Sequence, residues 1–443
     1  MSKRTLFIGF MLFALFFGAG NLIFPPTVGQ LSGSNFMPAI IGFIVTGVGL
    51  PLIGIIAGSF SEEGFRSEAK RIHPAFAILF MVTIYLTIGP FFAIPRTAMV
   101  SYEMAVLPFL DGGIETMTSK IGFAVVYFGL AFYLALNPSK LVERVGQILT
   151  PALLITIVLL IISAFFKLDT PITTINPQFA KDPFFVGFSE GYQTMDTIAA
   201  VAFAMIVITA VKATGLTSQK DIFTQSAIAA VIAGVGLGLV YICLAWIGNH
   251  YPLTAEEAAG GNMGTSILTG VARLTYGEGG RILLSLIVSL ACLTTAIGLI
   301  VAVSSYFHEL YSKISYRVYA VIFTLISFIL ASQGLSSIIM GAVPILLIIY
   351  PITIVLIVLI FIDRLLKGMP NLAFQLPILV TLIISALSVT LGYIGDSTFK
   401  LKATELLAYL PYQDSDMGWM IPAVIALLLG IILGKVFNTK QGL

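Results

Sequence analysis

"FFGAGNLIFPP", residues 16–26, interrupts the first apolar run of the chain with two glycines, an asparagine and two prolines. In a helix interior Gly is roughly 1 kcal/mol and Pro about 3 kcal/mol less favourable than Ala, and Pro25 and Pro26 also remove two backbone donors. What such a break means depends on the solvent around it.

The whole composition supplies that solvent. Of 443 residues, 58% are hydrophobic and 10% charged, and the mean hydropathy is +1.03. A soluble domain carries roughly 25% charged residues, so the chain reads as a membrane protein. A helix crossing the hydrocarbon layer needs about 20 mostly apolar residues. Twelve such runs are expected, near 6–30, 37–60, 74–98, 121–137, 147–166, 187–211, 222–248, 281–306, 317–333, 336–362, 373–394 and 419–437. Barrel strands would alternate lipid-facing and lumen-facing residues over about 10 positions. "IPAVIALLLGIILG", residues 421–434, is instead apolar all round, so the fold class is all-α and polytopic.

Lysines and arginines in short loops set the orientation. With the N terminus in the cytoplasm, 15 of the 23 fall inside, Lys140 among them, and 8 outside. Both termini are therefore expected to be cytoplasmic. The formal net charge of +2 is spread over many loops, which is a topology signal and no footprint for nucleic acid. Cys243 and Cys292 lie inside apolar runs and read as small packing residues.

A basic start, an apolar stretch and small residues give the first 20 positions some likeness to a secretory signal. The sequence goes on as "NLIFPPTVGQ" instead of a polar mature start, which argues against cleavage and leaves the break inside a span. Backbone groups freed there would each cost several kcal/mol in lipid, so a broken helix is tolerated where it is buried or lines a polar cavity. In transporters such a cavity near the midplane holds substrate and ion.

Two further polar features lie inside spans. Asp196, in "GYQTMDTIAAVAF" (191–203), sits about ten residues into the sixth run, roughly 15 Å deep at the helical rise. An intramembrane carboxylate is a functional hypothesis by default, with structural pairing to a neighbouring helix as its bland counterpart. Thr294 and Thr295, in "SLACLTTAIGL" (289–299), follow Ala291 by about one turn. They either offer hard oxygens to a small cation or bond back to their own backbone. Arg96, near the end of the third run, either snorkels to the headgroups or lines an outer gate. The acidic stretch 254–264 reads as a solvated extracellular connection.

No phosphate loop, nucleophile elbow or zinc-protease helix is present, and His73, His250 and His308 gather no metal-ligand cluster. An enzyme therefore has no support. A channel would need a continuous polar pore, against which the localised breaks argue. Transporter folds often repeat five spans with inverted topology and a broken first helix. Spans one and six would be that pair, giving residues 1–170 and 171–365 as a 5+5 inverted repeat and 366–443 as two appended helices.

"FFGAGNLIFPP" and "GYQTMDTIAA" resemble the most distinctive segments of the branched-chain amino acid carrier family (BrnQ, the leucine/isoleucine/valine:cation symporters), and the resemblance covers essentially the whole chain. It implies uptake of leucine, isoleucine and valine coupled to a cation, usually Na⁺, in the bacterial inner membrane. No cofactor besides that ion and no protein partner is implied. More distantly the family resembles the LeuT-type fold.

On that template, the glycine-rich break holds the substrate's charged ends through Ala19, Gly20 and Asn21, with Phe16 at a substrate-facing carbonyl. The template's cation site corresponds to Ala14, Phe17, Ala291, Thr294 and Thr295. Its span-six threonine and serine correspond to Thr194 and Asp196, so a carboxylate stands where the template has a hydroxyl. Asp196 is left with three roles open: ligand to the substrate ammonium, to Na⁺, or to a proton. Phe92 and Ile198 are expected at the wall around the substrate side chain. The alternatives are a same-fold symporter for another small neutral amino acid, and H⁺ coupling.

Overall fold

The computed structural model describes residues 3–61, 63–110, 116–137, 142–254 and 262–441. Lys140 and most of the acidic stretch 254–264 lie outside the described residues. Within them the chain is helical, with no strand.

The first apolar run forms two helices, α1 (Lys3–Phe16) and α2 (Ala19–Ser32). After a turn at Gly33, which takes a positive φ of 51°, α3 (Phe36–Ile44) and α4 (Leu50–Gly58) build the second run, joined by a π-helical turn. A short α5 (Phe65–Lys70) leads into the third, made of α6 (Pro74–Leu86) and α7 (Ala93–Ala105). Then come α8 (Met117–Ala135), α9 (Thr150–Phe165), and the pair α10 (Pro183–Glu190) and α11 (Asp196–Lys212). The remainder is α12 (Gln219–His250), α13 (Met263–Tyr276), α14 (Glu278–Leu310), α15 (Tyr316–Ala331), α16 (Leu335–Leu365), α17 (Leu372–Leu391), α18 (Thr398–Ala408) and α19 (Met420–Gln441).

Among the described residues, helix length and apolarity give eight spans, or nine when α10 and α11, bent by 45°, are joined. Twelve runs are expected from the sequence, and helices of the structure fall at each of them. The turn at Gly33 keeps α2 and α3 close in sequence, so the 40 residues Ala19–Gly58 hold the end of the first expected run and the whole second one, and Tyr316–Ala331 and Met420–Val436 are shorter apolar helices at two further runs.

At the centre stands α1, buried on every side from Met11 to Phe16 and packed by α11, α12 and α14. Lipid tails give no hydrophobic drive between helices, so membrane helices associate through small residues that let backbones meet. Such residues recur here. The carbonyl of Ala245 on α12 abuts Gly29 of α2, that of Pro26 on α2 abuts Gly248 of α12, and that of Phe184 on α10 abuts Gly42 of α3. The outer surface is apolar, with Leu79, Val126 and Met340 each about two-thirds exposed, as a bilayer-facing shell requires. The last helices are peripheral: α19 packs on α17, and α17 on α16.

Candidate functional site

The break in span one falls at Phe17 and Gly18, upstream of the prolines. Gly18 is extended (φ −116°, ψ −155°), and its N–H donates to Asn21 Oδ1 at 3.0 Å, so the asparagine side chain caps the new helix. Pro25 and Pro26 stay within α2. Their missing donors leave the carbonyls of Asn21 and Leu22 without α-helical partners.

Span six breaks without a glycine. Residues Gly191–Thr194 wind as a 3-10 turn, and Met195 takes a left-handed conformation (φ 65°, ψ 10°), which costs an L-residue roughly 1–2 kcal/mol. Thr194 Oγ1 donates to the Gly191 carbonyl at 2.8 Å and accepts from the Asp196 N–H at 3.3 Å. Asp196 is therefore the first residue of α11, where the N-terminal amides favour an anion.

The two breaks meet. Asn21 Nδ2 donates to Asp196 Oδ2 at 2.5 Å and to the Tyr241 hydroxyl, and Tyr241 in turn donates to Asp196 Oδ2 at 2.8 Å. All three side chains are buried. One carboxylate thus joins α2, α11 and α12. Tyr241 carries no signal in the sequence, since a tyrosine within a long apolar run is ordinary.

Arg96 overturns its snorkelling reading. The third span runs on through Ala105, which puts Arg96 inside the protein at 3% exposure. Nη1 donates to the Gln193 carbonyl at 2.7 Å and Nη2 to the Thr194 carbonyl at 3.3 Å, the last acceptors before the span-six break. The guanidinium also lies 5.6 Å from the Phe24 ring centroid. A β-carbon on Gly20 would come within 2.8 Å of Nη2. Gly20 therefore makes room for Arg96, a role its place in the glycine-rich break did not suggest. The missed clue was the absence of any helix stop after "IPRTAMVSYE" (94–103).

Phe16, Ala19, Asn21, Thr194 and Asp196 line one small cavity between the breaks. Gly20 and Phe92 are not among its lining residues. The non-helical Gly89 (ψ −120°) re-aims the chain ahead of Phe92, whose ring meets Phe91 at 6.4 Å. Ile198 is fully buried outside the cavity lining. The apolar wall is Ile88, Ala93, Ala199, Phe203 and Leu299, with Phe203 edge-on to Phe16 at 5.3 Å.

Beside the cavity lies the threonine pair. Thr294 Oγ1 donates to the Ala14 and Ala291 carbonyls at 3.0 and 2.9 Å. Thr295 Oγ1 lies 3.2 Å from the Ala14 carbonyl and 3.0 Å from that of Leu15. The hydroxyls therefore converge on span-one carbonyls at the end of α1. Leu15 supplies the second one, and the Phe17 carbonyl is not among those reached. Both threonines are buried, and a β-carbon on Gly18 would come within 2.7 Å of Thr295 Oγ1. The oxygens that converge here are carbonyls and hydroxyls, and no group of three or more His, Cys, Asp or Glu side chains placed to hold a metal ion occurs among the described residues.

The sequence profile described as "Branched-chain amino acid transport protein" matches residues 1–437. The chain belongs to that family. Among relatives named as branched-chain amino acid carrier proteins, one from Staphylococcus saprophyticus is 45% identical over 455 residues, covering 100% of this chain and 98% of its own. One from Staphylococcus aureus is 43% identical over 447 residues, covering 98% and 97%. The carrier is thus a multi-span transporter and not an enzyme.

Solved structures show the fold. A nucleobase-cation-symport-1 family transporter in a closed conformation, with bromovinylhydantoin bound, superposes with a TM-score of 0.63 at 12% identity, over 99% of this chain and 93% of its own. MhsT in complex with L-phenylalanine gives 0.57 at 16% identity, over 98% of each chain. A manganese transporter of Eremococcus coleocola gives 0.59 at 12%, over 98% and 96%. The fold is of the LeuT type.

Proposed function

We propose that the carrier takes up leucine, isoleucine and valine together with a cation, Na⁺ in the first reading, by alternating access. The observation that supports it is the meeting of two broken spans at one buried cavity, with Asp196 on one side and the Thr294/Thr295 pair on the other. Phe16, Ala19, Asn21, Thr194 and Asp196 would hold the charged ends of the amino acid, and Phe203, Ile88 and Leu299 its branched side chain. Gly20 supports the site through Arg96.

Na⁺ would lie among the carbonyls of Ala14, Leu15 and Ala291 and the hydroxyls of Thr294 and Thr295. It would tie span one to α14. A ligand shifts a conformational equilibrium only by its differential affinity for the two states, and an ion bridging two helices that move apart has that property. In the same reading residues 1–170 and 171–365 are the inverted repeats, 366–443 are appended, and both termini face the cytoplasm from a bacterial inner membrane. The excess of Lys and Arg in alternate loops supports that orientation.

One observation favours H⁺ as the second reading: Asp196 is a membrane-buried carboxylate already hydrogen-bonded to a hydroxyl and a carboxamide. Uptake of radiolabelled leucine into proteoliposomes under an imposed Na⁺ or proton gradient separates the two. Leucine accumulation driven by neither gradient, or no competition by isoleucine and valine, would reject the proposal.

A further inference from the structure

Two buried opposite charges line the cavity, Asp196 and Arg96, yet no ion pair joins them among the described residues. A guanidinium carries five N–H donors and a carboxylate only acceptors. Arg96 directs one donor each from Nη1 and Nη2 to the Gln193 and Thr194 carbonyls. Its Nε, also buried, has no partner. Three donors stay free, on Nε, Nη1 and Nη2, and the side-on fork of Nε with Nη2 matches the two oxygens of a carboxylate.

The two charges face one cavity without a direct hydrogen bond between them, and a buried charge is stabilised well only when it is both paired and hydrogen-bonded. A zwitterionic α-amino acid meets both needs at once, because its carboxylate and ammonium are held one carbon apart and can face one residue each. Resting on the function proposed above, we infer that Arg96 is a substrate-binding residue, its Nε/Nη2 edge receiving the carboxylate of the amino acid while Asp196 receives the ammonium. The donors to Gln193 and Thr194 fix the guanidinium against the span-six break, and Gly20 leaves room for it against span one. This assigns a protein cation to the substrate carboxylate, in addition to the α2 amides. It also explains a charged residue at the middle of a membrane protein that no other part of the cycle uses.

The test is competition against radiolabelled leucine binding to purified carrier by two analogues, each missing one charged end: 3-methylbutylamine, without the carboxylate, and 4-methylpentanoate, without the ammonium. Arg96→Gln should weaken leucine at least about 30-fold while changing 3-methylbutylamine by less than about 3-fold. Asp196→Asn should show the mirror image, sparing 4-methylpentanoate. Arg96→Lys, which keeps the charge and loses the planar fork, should fall between native and Arg96→Gln for leucine and again spare the amine. It serves as the readout if Arg96→Gln is not recovered as a monodisperse protein.

Equal losses of leucine and amine in the Arg96 variants would make the residue purely structural and overturn the inference. Leucine affinity within about 3-fold of native would do the same. Absence of leucine binding by the native carrier would instead overturn the function proposed above, and this inference with it.

Discussion

Asp196 Oδ2 accepts hydrogen bonds from two different helices, the Tyr241 hydroxyl of α12 at 2.8 Å and the Asn21 carboxamide of α2 at 2.5 Å. The carboxylate is thereby held in one orientation by side chains of the protein itself. A hydrogen bond to a charged group contributes about 1.5–3 kcal/mol. Tyr241→Phe keeps the buried ring, which sits edge-on to Phe43 at 5.7 Å, and removes only the donor. The expected result is a roughly 10- to 100-fold loss of leucine affinity with normal recovery of folded protein, measured by equilibrium binding in detergent. Unchanged affinity would mean that Asn21 alone positions the carboxylate.

Asp196→Asn should leave the carrier in the membrane and cripple it. The amide matches the carboxylate in size and still accepts from Tyr241, so packing among α2, α11 and α12 survives. In the proposed function the lost charge is the counter-ion of the substrate ammonium, and removing one partner of such a buried pair costs about 2–5 kcal/mol or more. Leucine uptake should fall at least ~30-fold at unchanged membrane abundance. Normal uptake in vesicles carrying this variant would return Asp196 to a purely structural role.

The sequence disclosed the carrier unevenly, and the reasons are physical. Apolar runs announce themselves because lipid leaves a helix no other composition, and the break at Gly18 was legible because glycine, asparagine and proline are all poor helix residues. The span-six break was not, since it is made by Met195 in a conformation any methionine can be forced into by its surroundings. Arg96 lies deeper than hydropathy suggests, because the apolar run fades near residue 98 while α7 continues to Ala105. Tyr241 reaches Asp196, and Phe203 the cavity, through packing between distant helices, which no local pattern records.

The threonine pair should separate ion dependence from substrate choice. Thr294 is fully buried with its hydroxyl on the Ala14 and Ala291 carbonyls, whereas Thr295 also lines the cavity. Loss of one oxygen ligand to a cation is expected to cost about 1.5–3 kcal/mol, by analogy with hydrogen bonds to charged groups. Thr294→Ala should therefore raise the half-saturating Na⁺ concentration for leucine uptake about 10-fold or more and leave the ranking of competing amino acids unchanged. Thr295→Ala should do the first and also weaken leucine itself. If both variants keep native Na⁺ activation, the cation does not sit there.

Gly29 and Gly248 permit a backbone-to-backbone contact between α2 and α12 that a methyl group cannot share. A β-carbon on Gly29 would collide with the Ala245 carbonyl, and one on Gly248 with the Pro26 carbonyl, and a backbone cannot turn aside as a long side chain can. Overpacking of well-fitted contacts costs about 1–3 kcal/mol and occasionally more. In a membrane that close approach is itself a main source of helix association. Gly238 on the same helix is the internal control, since a β-carbon there meets nothing within 4 Å and alanine is the better helix former by roughly 1 kcal/mol. Thermal unfolding of the detergent-solubilised carrier should show Gly29→Ala and Gly248→Ala unfolding well below native, and Gly238→Ala at or above it. Three equal melting temperatures would mean that α2 and α12 can part without loss, and that the span-one break is anchored by something other than this crossing.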